Sequence, residues 1–326
     1  MRCIKKAISV LLVAVVIFCG VASVVPSADY LTDESFLNSD FKPLFLEDLV
    51  MQEKERAVAV GGSKELKYFK SISDKNIANY GKVKVTLGGQ LINETAYLIN
   101  DTTYIPLRAA MTIAGAKVSF DNSTRTAYAV RDDLNLIVTD GSYSVYANER
   151  PLLSNTPAAI LSDGKMYIPI RILAKALGLD VEWQPPRSVA LSGSIKPLLH
   201  ADLYYKADDL YWLSRIISAE SRGETLLGQI AVGNIVLNRT RSRDYPNTIY
   251  GVIFDKKYGV QFSPIIDGSI YKTPTYSATV AAKICLEGVS VSEKVLFFLN
   301  PSASTSSWIV QNRKYAFTIG NHYFFE

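Results

Sequence analysis

Two glutamates, Glu220 and Glu224, stand four residues apart in SAESRGETLLGQIAVGNIVLNR, residues 218–239. Leu210, Leu213, Ile216 and Ile217 precede them at three- and four-residue spacing, which predicts an amphipathic helix after Asp208 with Glu220 on its inner face. An acid there either pairs with a cation or is pushed by desolvation towards its protonated form. The protonated form is what a glycosidic general acid needs, because it must give a proton to a leaving oxygen. Taken alone, a glutamate on an apolar stripe is more often a paired core acid than a catalyst. Glu224 follows Gly223, expected to end the first helix, and precedes Thr225, a candidate N-cap for the next. A carboxylate there favours a helix N-terminus by ~0.3–1 kcal/mol, a structural role.

The helix after Thr225 sets Gly228, Ala231 and Gly233 among Ile230, Val232, Ile235, Val236 and Leu237, so that another backbone can approach one face closely, and Asn238 and Arg239 end it with polar groups. Upstream, residues 29–82 carry no sustained period and read as an extended or weakly structured lead-in. From Val83 short β-rich runs alternate with Asn, Asp and Gly, and the chain repeats itself: TYIPLRAAMTIAGAKVSFD (103–121) matches MYIPIRILAKALGLDVEWQ (166–184). In each copy a strand ends at Tyr-Ile, Pro106 or Pro169 fits the first turn of a helix, and Gly115 or Gly178 suits its left-handed cap. A strand then returns with an aromatic expected to be buried, Phe120 or Trp183. Neither unit can bury its own face, so the pair is expected to form one small α/β domain, residues 83–193. Gly and Pro in 194–207 predict a linker, leaving 208–326 as the last domain.

Arg2, Lys5 and Lys6 ahead of the apolar run Ala7 to Val25 read as a secretory signal, residues 1–28. The run is also about the length that spans a bilayer, so a retained anchor is the alternative. Without residues 1–28, 32 basic residues face 31 acidic ones, and no electrostatic argument for nucleic acid survives. Cys285 would then be the only cysteine, and His200 and His322 are the only histidines, which cannot build a His-rich metal site. No metal and no cofactor is expected.

The YIPLR and YIPIR motifs resemble those of the copper amine oxidase N-terminal-like domain, a stalk module of bacterial secreted proteins. Residues 83–193 contain neither histidine nor cysteine, the ligands copper wants, so the resemblance carries no metal with it. Arg108 and Arg171 are expected to serve strand–helix packing, with wall binding as the alternative for the domain.

AESRGE, GQIAVGNIVLNR, YPNTIYGVIF, QFSP, DGSIY, NPSASTSSW and IGNHYFFE follow in that order across residues 219–326. In these motifs the chain resembles the catalytic domain of the cell wall hydrolase family that includes the spore cortex-lytic enzyme SleB. The resemblance implies an α+β multidomain protein, its two-repeat stalk-like domain followed by a mostly helical, lysozyme-like domain that cuts peptidoglycan glycan strands as a lytic transglycosylase. It makes Glu220 the catalytic acid and then base, while the 6-hydroxyl of the muramic acid closes a 1,6-anhydro ring without an attacking water. One dominant carboxylate suffices for that route, whereas ordinary hydrolysis needs a pair; Asp255, Asp267 and Glu287 are the candidates for a second. The groove is expected to comprise Glu224 in support, Gln261, Ser263, Asn300, Asn321 and His322 as polar groups, and Tyr258, Phe262 and Trp308 as rings that stack on sugars or pack in the core. Of these, His322 reads as an oriented structural group.

Members usually carry a recognisable peptidoglycan-binding domain before the catalytic one, and here the stalk-like module takes that place. Wall turnover, sporulation and germination are all open settings for a secreted or envelope protein, including spore cortex or coat, with cell-wall or membrane association and an unidentified activator as further partners. An N-acetylmuramoyl-L-alanine amidase is a second enzymatic reading, but such enzymes commonly use zinc, for which donors are scarce. A non-catalytic envelope protein that binds glycan through a degenerate groove is the reading from another class, and a costly inward carboxylate argues against it.

Overall fold

The computed structural model describes residues 42–49, 69–257, 259–302 and 308–326. The expected signal segment and Tyr258 lie outside them. A sheet-rich region comes first. After helix α1 (Leu46–Leu49), strands β1 (Gly81–Leu87), β2 (Gln90–Leu91), β3 (Ala96–Ile99) and β4 (Thr102–Pro106) lead into helix α2 (Leu107–Ile113). A meander follows, of β5 (Lys117–Asp121), β6 (Thr126–Arg131), β7 (Leu134–Thr139), β8 (Ser144–Ala147) and β9 (Arg150–Leu153). Then come β10 (Ala159–Ile160), β11 (Met166–Pro169), helix α3 (Ile170–Leu177), β12 (Asp180–Gln184) and β13 (Ser188–Ser192).

Alternation sets the faces of these strands. In β1, Val83, Val85 and Leu87 are buried while Lys82 and Lys84 are exposed. The larger sheet runs β10-β11-β4-β3-β1-β13-β12, with β2 beside β1. Next to its β10 edge the two Tyr-Ile-Pro segments pair antiparallel, Ile105 opposite Ile168. Pro106 and Pro169 stand one position earlier than expected, as N-cap residues at the strand ends. Gly115 and Gly178 take φ of 82° and 66°, as a left-handed cap requires. Phe120 is only half-buried and Trp183 is 48% exposed, against expectation, because β5 and β12 are edge strands with one neighbour each. Arg108 donates to the Val118 carbonyl at 3.1 Å and so ties α2 to the strand that follows it. The two helices of the region have only 7 and 8 residues, so sheet dominates it more than an α/β reading expects.

The helical region comprises α4 (Ala201–Tyr204), α5 (Ala207–Ser221), α6 (Leu226–Arg241), α7 (Ile249–Ile253) and α8 (Tyr276–Leu286), followed by β14 (Phe297–Leu299), α9 (Trp308–Asn312), β15 (Tyr315–Ile319) and β16 (His322–Phe325). The last three strands form a small sheet in the order β14-β16-β15. Helix α6 is the hub: every residue from Leu226 to Val236 is buried. A Cβ at Gly233 would come within 2.8 Å of both Ile217 Cδ1 on α5 and Cys285 Sγ on α8, so the small residues of α6 let two helices close on it. Its polar positions serve the loop after α8. The Asn234 side chain bonds Val289 and Val291, and the Asn238 amide donates to the Ser292 and Val295 carbonyls. Among the described residues no helix is long and apolar enough to cross a membrane.

The two regions are fastened together. Glu287, at the end of α8, has a fully buried carboxylate that accepts from Arg150 Nε at 2.6 Å and Nη2 at 3.0 Å on β9, from the Tyr205 hydroxyl at 2.8 Å, and lies 3.1 Å from Lys175 Nζ on α3. Burial alone would raise this carboxyl, but the hydrogen bonds from Arg150 and Tyr205 and the charges of Lys175 and Arg150 outweigh it and hold it below the ordinary value. Glu287 is thereby removed from the candidates for a second catalytic carboxylate. The expected linker is also tied down: the Leu198 carbonyl accepts from Asn148 at 2.7 Å and the Lys196 N–H donates to the Leu177 carbonyl at 2.9 Å. Part of the lead-in is structured too, because Leu44, Leu49 and Phe69 enter the core of the helical region and the Leu44 N–H meets the hydroxyls of Ser142 and Ser144. Replacing Glu287 by Ala leaves Arg150 buried without its counter-charge, and we expect a loss of about 3–5 kcal/mol in chemical denaturation; an unchanged midpoint would show that the clamp contributes nothing.

Candidate active site

Helix α5 carries Leu213, Ile216 and Ile217 into the core, and the same spacing brings Glu220 to the wall of the bundle in the last turn. Its carboxyl has no hydrogen bond or ion pair among the described residues. Burial pushes it up to about 7, and the charge of Asp267 adds to the shift. Asp267 lies exposed between two single 3₁₀ turns, Ser263–Ile265 and Ser269–Tyr271, which pack against α5. The Ser269 side chain and its backbone N–H, the latter at 2.8 Å, bond Asp267 and hold its carboxyl below the ordinary value. Two neighbouring carboxyls thus have environments that drive them apart, one towards the protonated form at neutral pH and one fixed as the anion. That division is the one an acid and an electrostatic partner require.

Glu224 is held where α6 begins. Thr225 caps the helix through the Gly228 N–H, and the Glu224 carboxylate accepts from the Asn321 backbone N–H at 3.1 Å and from the Asn321 amide at 3.0 Å, in the turn between β15 and β16. A Cβ at position 320 would sit 1.9 Å from Glu224 Oε2, so only glycine lets the turn and the carboxylate meet. His322 Nδ1 is 3.7 Å from Glu224 Oε1, its ring packed edge-on against Phe298 and Phe324. Burial lowers the imidazole from its usual value although the Glu224 charge opposes this. Glu224 therefore pins the terminal hairpin to the hub helix.

The other expected groove residues divide. Gln261 and Ser263 are at the 3₁₀ turn that packs on α5, with the Gln261 amide donating to the Gly259 carbonyl and Ser263 exposed. Phe262 between them is 2% exposed and lies in the core 5.2 Å from the Arg239 guanidinium, which corrects the expectation that it stacks on a sugar. Asn300 caps its own turn through the Ser302 N–H, and Trp308, 51% exposed, lies beside Arg313. No hydrogen bond, ion pair or ring contact among the described residues joins either to Glu220 or Glu224. Asp255 accepts from the Lys257 N–H and leaves Oδ2 buried without a partner. Of the three candidates for a second carboxylate, Asp267 is the one whose charge acts on Glu220. Sequence reasoning passed over Gly320 and the exposed rings of Tyr250 and Tyr271. Their only sequence signal is the motifs they sit in, which name no contact.

Residues 223–325 match the Cell Wall Hydrolase family model and residues 86–190 that of the Copper amine oxidase N-terminal domain. The chain therefore carries a cell wall hydrolase domain behind a domain of the second kind. Among individual proteins, the spore cortex-lytic enzyme of Bacillus cereus is 38% identical over 120 residues, which are 37% of this chain and 45% of that protein. The spore cortex-lytic enzyme of Bacillus subtilis is 35% identical over 122 residues, 37% of this chain and 39% of that protein. The chain thus spans less than half the length of these relatives. The solved catalytic domain of the germination-specific lytic transglycosylase SleB from Bacillus anthracis is 37% identical, with 37% of this chain and 97% of that one covered at a TM-score of 0.35.

Because the folded Glu220 carboxyl lies above the free value of 4.5, the folded state gains from its protonation at low pH and loses that gain as pH rises through about 7. Glu220→Gln is therefore expected to stabilise the protein at pH 8, by up to about 3 kcal/mol at 1.36 kcal/mol per unit, and to leave stability unchanged at pH 4. Equal stabilisation at both values, read by chemical denaturation, would mean that the carboxyl is not desolvated.

Proposed function

We propose that this chain is an exported peptidoglycan-degrading enzyme, a lytic transglycosylase that cleaves the MurNAc–GlcNAc bond with Glu220 as its single catalytic carboxyl. The observation that carries the reading is a carboxyl on the bundle wall, without a cation, raised to about 7. The match of residues 223–325 and the identity to spore cortex-lytic enzymes support the same class.

In this reading Glu220 gives its proton to the glycosidic oxygen as the C1–O bond breaks. The resulting carboxylate takes the proton of the 6-hydroxyl, whose oxygen bonds to C1 and closes the 1,6-anhydro ring. The proton returns to Glu220 and no water is consumed. Asp267, held as the anion, stabilises the positive charge that develops at C1. Gln261 and Ser263 contact sugar groups from the turn beside α5, Asn300 after β14 and Trp308 at the start of α9 contribute further contacts, and Glu224 and His322 fix the hairpin. The helical region is lysozyme-like, and residues 83–193, built from two copies of one unit, act as a spacer or wall-binding adaptor. The setting is the cell envelope, with spore cortex as one substrate.

A second reading is carried by Asp267, whose coupling to Glu220 also suits hydrolysis by a pair of carboxyls. Mass spectrometry of fragments released from purified cortex and vegetative sacculi separates the two. We expect anhydromuropeptides from the wild type, a rate that falls as pH rises through about 7, and a roughly 10²–10⁴-fold loss in Glu220→Gln. Asp267→Asn should keep anhydro products and move the alkaline limb to lower pH, since a charge that raises Glu220 is gone. Reducing ends that vanish with Asp267→Asn would replace transglycosylation by hydrolysis, free stem peptides would mean an amidase, and full activity in Glu220→Gln would sink both glycosidic readings.

A further inference from the structure

Three elements bring aromatic rings together along α5, on the side where the 3₁₀ turns lie. Trp212 stands at the centre, its ring 5.5 Å from Tyr250 and 5.0 Å from Phe254 at the end of α7, and 6.3 Å from Tyr271 in the turn Ser269–Tyr271. Tyr250 is 54% exposed and Tyr271 61% exposed. Neither hydroxyl has a hydrogen-bond partner among the described residues. Packing has no use for this much exposed ring, and the combination of an apolar face with a free hydroxyl suits a partner that offers C–H faces and hydroxyls together.

The position relative to Glu220 names that partner. Trp212 and Glu220 are eight residues apart on one helix, about 12 Å along its axis at 1.5 Å per residue. The segment from Asp267 to Tyr271 runs between the same two places, with Asp267 acting on Glu220 at one end and Tyr271 against Trp212 at the other. The surface between Glu220 and the rings, about 12 Å along the helix, is longer than one sugar and suits an extended oligosaccharide. We infer that Trp212, Tyr250 and Tyr271 form a subsite that holds a glycan strand several rings away from the bond broken at Glu220, and so favours long strands over short fragments. This rests on the glycan-cleaving reading of Glu220.

The test uses the full chain, soluble glycan strands of defined length, and the double variant Tyr250→Ala/Tyr271→Ala, with Trp183→Ala as a control for an exposed ring in the sheet-rich region. The double variant should raise KM for long strands roughly five- to tenfold, leave kcat and the cleavage of short fragments unchanged, and keep the wild-type circular dichroism. Binding of the same strands by Glu220→Gln, with and without the two tyrosine changes, reads the subsite when nothing is cut, so it stands apart from failure of the cleavage reading. Wild-type KM and unchanged strand binding in the double variant would overturn the proposal, as would an equal loss on short and long substrates or an equal effect of Trp183→Ala.

Discussion

A carboxyl on the wall of an apolar helix bundle, with no cation beside it, is an unfavourable arrangement that the rest of the domain has to sustain. It exists because α6 is buried from Leu226 to Val236 and holds α5 through Ile217 and Gly233, which fixes the last turn of α5 against the core. Were α5 free to rotate, Glu220 would swing to water and its carboxyl would return to the ordinary range. The packing of small residues on the hub helix therefore sustains the raised carboxyl of Glu220 from a distance.

Three glutamates in one domain show how the surroundings alone decide what a carboxyl does. Glu220 is desolvated and unpaired, and is raised. Glu287 is fully buried but faces Arg150, Lys175 and Tyr205, and is lowered. Glu224 is buried beside a helix N-terminus and the donors of Asn321, and serves as a pin. The clamp at Glu287 has a second effect. It draws its cations from β9 and α3 of the sheet-rich region, so the stalk-like part is fastened to the domain behind it, with the segment around Leu198 bonded down as well.

What the sequence disclosed follows the range of the interactions. The inward position of Glu220, the Thr225 cap, the left-handed glycines and the strand ends at the Tyr-Ile-Pro segments are set by neighbours within a helical turn or a strand, and periodicity and cap chemistry reveal them. Phe120 and Trp183 were misjudged because an aromatic in a β-run is buried only if its strand has cover, and edge position is a property of the whole sheet. Phe262 was misjudged in the other direction, since a ring between two polar residues gives no sign that Arg239 and the core await it. The partners of Glu287, Arg150, Lys175 and Tyr205, lie 137, 112 and 82 positions away in sequence, beyond any local pattern. Gly320 is legible only once the Glu224 carboxylate is placed beside it.

The manner in which Asp267 is held bears on which glycosidic route the site suits. A nucleophile or a base must turn an oxygen lone pair towards a reacting atom, and the Asp267 oxygen that accepts the backbone N–H of Ser269 has one of its lone pairs committed to its own turn. A fixed anion needs no such freedom, because its field acts on Glu220 and on a developing positive charge whichever way its oxygens point. The hydrogen bonds that keep Asp267 ionised are the same ones that keep it still. On the proposed route the mobile proton belongs to Glu220 alone, and a hydroxyl brought by the sugar itself accepts the anomeric carbon.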